Sequence, residues 1–105
     1  LFVDDLAGAV FHIINLEKNK NRKILKNFPL INVGSGEEIS IKNLANKIKK
    51  ICKFNCKIFF DKKFPDGTPK KSLDSSKINR LGWKSKVKLE QGLKIVHNNY
   101  LDLKK

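Results

Sequence analysis

Residues Phe64 to Trp83 read FPDGTPKKSLDSSKINRLGW, and they hold two kinds of signal. The first half is loop chemistry: Pro65, the Asp66-Gly67 turn pair and the adjacent Lys70 and Lys71. The second half is a start and a stop. Asp74 or Ser75 can cap a short helical turn carrying Ile78 and Leu81, and Gly82 ends it before Trp83. The LGW unit is expected to pack that turn against the last helix. A loop anchored in this way can hold a ligand, or it can only connect two packed elements.

Working outward, Lys57-Ile58-Phe59-Phe60 is a β-prone run ending at Asp61. Before it, Ser40 caps a predicted helix with Ile41, Leu44, Ala45, Ile48 and Ile51 on one face, ending near Phe54-Asn55. Leu30 to Val33 reads as a short strand closed by Gly34-Ser35-Gly36. Glu17 to Asn27 is polar and aperiodic, a loop or frayed helix end. At the start, Asp4 is the expected N-cap of a helix from Asp5 to Leu16, with Leu6, Val10, Ile13 and Leu16 near a 3.6-residue period. Downstream, Leu89, Leu93, Val96, Tyr100 and Leu103 align along a final helix. The sum is three helices, a helical turn and two or three short strands, an α+β class.

The chain has 105 residues, 40% of them apolar, with a mean hydropathy of −0.41. These values bound it to one small globular piece. No apolar run approaches the ~20 residues of a membrane-spanning helix, and no signal-peptide order opens the chain, so a cytoplasmic protein without membrane contact is expected. Leu1-Phe2-Val3 runs straight into Asp4-Asp5 without an initiating methionine, which suggests part of a larger protein. The formal charge of +13 invites a nucleic-acid reading. Yet there are 21 lysines to 2 arginines, beside 11 isoleucines and 11 asparagines, all residues of A/T-rich codons. Arginine, which reads bases and phosphates with a paired fork of donors, is nearly absent, so no nucleic-acid partner is expected.

Few residues suggest chemistry by themselves. Gly34-Ser35-Gly36 lacks the third glycine of a dinucleotide loop and runs into Glu37-Glu38, which would repel a pyrophosphate, so it reads as a turn. Cys52 and Cys56 are four apart, and a zinc site would need His12 or His97 from far along the chain. Free thiols, buried or half-buried, are the simpler reading, and no metal site is expected. His12 and His97 have no partner that sequence can place beside them.

Taken in order, FVDDLA (Phe2 to Ala7), INVGSGEEISIKNLA (Ile31 to Ala45), FFDKKFPDGTPKKSLDSSKINRLGW (Phe59 to Trp83) and LEQGL (Leu89 to Leu93) resemble the C-terminal third of the GDP-L-fucose synthases. These are epimerase/reductases of the extended short-chain dehydrogenase, or NAD-dependent epimerase/dehydratase, type. The resemblance implies that residues 1–105 are a C-terminal substrate-binding portion. The N-terminal Rossmann domain, which binds NADP(H), would be absent from this chain. It also implies a GDP-sugar substrate, GDP-4-keto-6-deoxy-D-mannose, and a homodimer for the whole protein. The serine, the tyrosine-x-x-x-lysine pair and the cysteine and histidine of the chemistry would all lie upstream, so these residues alone are expected to catalyse nothing.

For the site, the resemblance implies that Lys71 contacts the diphosphate and that Asp66 and Gly67 shape a loop over the nucleotide. Lys57 falls where the family often has a basic residue near the ligand. Phe64, Lys70 and Ser72 depart from the family's usual basic, arginine and apolar residues. Two other readings stay open: an epimerase or dehydratase for another nucleoside-diphosphate sugar, and a small basic nucleic-acid module with its lysines on one face.

Overall fold

The computed structural model describes residues 1–16, 30–65, 67 and 73–105, and four helices lie among these described residues. They are α1 (Val3–Ile14), α2 (Ile41–Ile51), α3 (Ser76–Arg80) and α4 (Leu89–Asp102). The chain divides into two units, Leu1–Glu37 with Ser72–Lys88, and Glu38–Lys71 with Leu89–Lys105. The expected Glu17–Asn27 loop lies outside the described residues.

The first unit is built on α1 and α3. Helix α1 starts two residues earlier than expected: Phe2 is the N-cap and offers no side-chain hydrogen bond, so Asp4 and Asp5 fall in the first turn. Asp4 was the natural capping type, but Asp5 has other partners and the helix starts ahead of both. The inward line of α1 runs through Asp5 and Ala9, with His12 and Ile13 half-buried, whereas Leu6 and Val10 are exposed. Ala9, Ile78 and Trp83 form the core, with Ile13, Ile31 and Val33 packed against it. Trp83 therefore packs on α1. Gly8 also faces it, and a Cβ there would meet the indole nitrogen at 3.8 Å, an ordinary contact. Burying Ile78 and Trp83 contributes about 1.5–3 kcal/mol each.

The second unit pairs α2 with α4. Ser40 caps α2 as its sequence predicts, its Oγ accepting from the Asn43 amide at 3.2 Å. Glu90 accepts from Lys47 across the pair at 2.8 Å and from Lys94, one turn along α4, at 3.0 Å. The Lys47 hydrogen bond, then that of Lys94, lowers the Glu90 carboxyl to about 2. The pair is exposed, so it fixes orientation more than it adds stability.

Neither expected strand forms among the described residues, so the α+β expectation is not met there and the described elements are helical. Ile31 and Val33 do turn inward on either side of exposed Asn32, with the period of a strand. A strand also needs a neighbouring segment to bond its backbone, and β-prone residues cannot supply one themselves. Among the described residues no helix is long and apolar enough to cross a membrane.

Candidate functional site: an anchored loop

The downstream anchor of the Phe64–Trp83 stretch is a helix end of definite geometry. Helix α3 stops at Leu81, Gly82 takes φ 96°, the Gly82 amide donates to Asn79 and the Trp83 amide to Ile78. This pairing is a Schellman motif, whose left-handed position favours glycine and whose flanking apolar residues usually touch. Here Ile78 and Trp83 meet in the core. The LGW unit is thus a helix stop and a core anchor together. His12 adds a tie from α1, its Nε2–H donating to the Leu81 carbonyl at 2.8 Å.

At the start of α3, Asp74 Oδ1 accepts from the Ser76 amide at 2.9 Å. That backbone bond is the main cause holding the Asp74 carboxyl below its usual range. Ser75 is the N-cap by position, buried and with a hydroxyl that has no hydrogen-bond partner, and the side chain of Asp74 before it takes the first helical amide. Gly34 lies against it, and a Cβ there would stand 3.0 Å from Ser75 Oγ and 3.5 Å from Leu73 Cβ. Gly34 lets the segment after Val33 run close to the foot of the loop. Lys77 Nζ also donates to the Leu30 carbonyl at 3.1 Å.

The turn around Gly34 closes on itself. Ser35 Oγ accepts from the Glu37 amide, and Gly36 takes φ 73°. Helix α2 opens only at Ile41, with Ser40 on one of its N-terminal amides. Asp5 supplies a further tie. Its Oδ2 accepts from the amides of Lys86 and Val87 at 3.0 and 2.8 Å, which fixes the chain after Trp83 to the start of α1.

Of the expected ligand contacts, Asp66 and Lys71 lie outside the described residues. Lys57 is exposed, followed by half-buried Ile58 and exposed Phe59 and Phe60. Asp61 Oδ1 accepts from the Lys63 amide at 2.9 Å, a local turn leading to exposed Phe64 and Pro65. Gly67 has open space about it. In the second unit, Cys52 Sγ and His97 Nδ1 stand 3.7 Å apart. Forty-five positions separate them in sequence, so no local spacing signals the pair. Among the described residues no third histidine, cysteine or acid joins them to make a metal group. Cys52 is exposed and Cys56 half-buried.

No family model matches the chain. Among curated proteins it is 41% identical over 97% of its length to probable GDP-L-fucose synthase 1 of Oryza sativa subsp. japonica, covering 29% of that protein. It is 35% identical over 97% of its length to the GDP-L-fucose synthase of Escherichia coli K12, covering 32% of it. To the GDP-L-colitose synthase of Yersinia pseudotuberculosis it is 32% identical over 89% of its length, covering 28%. The chain is similar to these proteins almost from end to end, and it spans about three-tenths of their length.

Proposed function

We propose that the chain is the C-terminal, substrate-binding part of a GDP-L-fucose synthase. The observation that carries this reading is the 41% identity over 97% of the chain to a protein bearing that name. In the whole enzyme, an N-terminal Rossmann domain binds NADP(H). The upstream catalytic residues epimerise two ring carbons of GDP-4-keto-6-deoxy-D-mannose, and hydride then passes from NADPH to the 4-keto carbon. The whole protein is a cytoplasmic homodimer. Leu30–Val33 and Lys57–Phe60 pair as strands with segments outside residues 1–105, which restores the α+β class. Exposed apolar residues of α1, among them Phe11 and Ile14, support burial against such a domain.

The part these residues play is to hold the nucleotide sugar. The Lys71 ammonium donates to a diphosphate oxygen, a charge-assisted bond. Asp66 and Gly67 shape the loop over the nucleotide, and Lys57 adds positive charge beside it. The loop can do this because its foot is fixed by Gly34, Asp74 and the α3 stop. Calorimetry of the intact protein tests the reading. GDP should bind, and Lys71→Ala should weaken it by about 1–3 kcal/mol, the range for a hydrogen bond to a charged group. Unchanged affinity removes Lys71 from the site, and equal binding of GDP- and UDP-sugars removes the assignment to a GDP-sugar enzyme.

A second reading, another nucleotide-sugar epimerase or dehydratase, is favoured by the 32% identity to a protein named GDP-L-colitose synthase. Product analysis after incubation with NADPH and GDP-4-keto-6-deoxy-D-mannose separates the two, since only the first yields GDP-L-fucose.

A further inference from the structure

We propose that Cys52 and His97 form a nucleophilic modification site that takes small apolar electrophiles of the α,β-unsaturated carbonyl class. Three observations meet there. The sulfur and the imidazole Nδ1 are 3.7 Å apart, on the residue that ends α2 and on the body of α4. The thiol is exposed. Both groups line a groove of about 270 Å³ whose other walls are Ile48, Ile51, Leu93, Val96 and Tyr100. A groove of that size and lining seats a small apolar molecule and offers little to a charged one. Two ligands are too few for a metal site, so the pair is suited to proton transfer and attack instead.

The sulfur lies at the carbonyl end of α2, where the helix does not stabilise negative charge. The thiol therefore depends on His97. With its own proton on Nε2, His97 takes the thiol proton at Nδ1 as Cys52 Sγ bonds to the β-carbon of the electrophile. The π electrons of the carbon–carbon double bond move to the α-carbon and carbonyl, and the imidazolium returns the proton to the α-carbon. The sum is one addition across the double bond, with no oxidant and no leaving group.

The intact protein, at neutral pH, is treated with N-phenylmaleimide and with a sulfonated maleimide of similar size. Peptide mass spectrometry then follows labelling at Cys52, with Cys56 as the internal reference. Cys52 should react at least about threefold faster than Cys56 with the apolar reagent, because the paired imidazole takes its proton as the sulfur attacks. Its advantage should shrink with the sulfonated reagent. His97→Asn, which keeps an acceptor near the sulfur but takes no proton, and His97→Gln should each lower the Cys52 rate about threefold and leave the Cys56 rate unchanged. Equal rates at the two cysteines, or an undiminished Cys52 rate in both His97 variants, overturns the site. Equal preference for the two reagents overturns the role of the groove.

Discussion

Asp4 and Asp5 are the same residue side by side, and their surroundings separate them. Asp5 is buried and accepts two backbone amides from Lys86 and Val87, while Asp4 is exposed. Removing the Asp5 carboxylate orphans two donors at the end of the chain segment that follows Trp83, and orphaned buried groups cost more than a made bond contributes. Asp5→Ala is expected to lower stability by about 2–4 kcal/mol. Asp4→Ala should stay within about 0.5 kcal/mol, as for an exposed position without special contacts. Urea unfolding of the intact protein measures both, and equal losses would mean that the Asp5 bonds add nothing beyond a charge in the first helical turn. Sequence shows that the helix start is acidic. It cannot show which acid turns inward, because the two amides that decide it lie 81 and 82 positions away.

At the scale of elements, two helices end in the same motif with different residues at its left-handed position. In α3 it is Gly82. In α2 it is Lys53, at φ 52°, with the Lys53 amide donating to Lys50 and the Phe54 amide to Lys49. A side chain in that conformation costs about 1–2 kcal/mol, partly offset by the greater unfolded freedom of glycine. Lys53→Gly is therefore expected to stabilise the protein by about 1 kcal/mol. A thermal or urea midpoint that falls instead would show that the lysine side chain has a compensating role. The same contrast explains what was legible. Glycine announces the end of α3, and Ser40 announces the start of α2, because both act through local geometry. The end of α2 was expected near Phe54-Asn55 but falls at Ile51, since no residue type there marks a stop. The expected strands need partners beyond the segments that carry them, and no local pattern provides those. The apolar face of α4 was read correctly through Leu93, Val96 and Tyr100, which line the groove with α2, while Leu103 lies past the helix end and is 87% exposed.

For the whole molecule, the candidate site was legible only where a motif carries it. Gly34, Asp74 and the LGW stop are visible in the sequence and have physical roles in the structure, whereas the roles of Lys57, Asp66 and Lys71 rest on resemblance. The larger consequence concerns apolar surface. Among the described residues only Ala9, Ile78, Leu81 and Trp83 are buried apolar side chains. Helix α1, by contrast, exposes Val3, Leu6, Val10, Phe11 and Ile14, and Phe11 and Ile14 are each more than 70% exposed. A helix apolar on most of its circumference is stable when covered on most of it. Among the described residues the buried core is a few side chains at about 1.5–3 kcal/mol each, so the apolar surface of α1 weighs heavily on whether the chain folds. The 105-residue chain made alone is therefore expected to bind a hydrophobic dye such as ANS and to melt without a sharp calorimetric transition. Within a longer enzyme, where α1 gains a neighbour, the same residues should unfold cooperatively and bind little dye. A sharp two-state melt of the isolated chain, with no dye binding, would show that it folds without a covering domain. That result would remove the structural support for treating it as one part of a larger fold, and leave the case to sequence similarity alone.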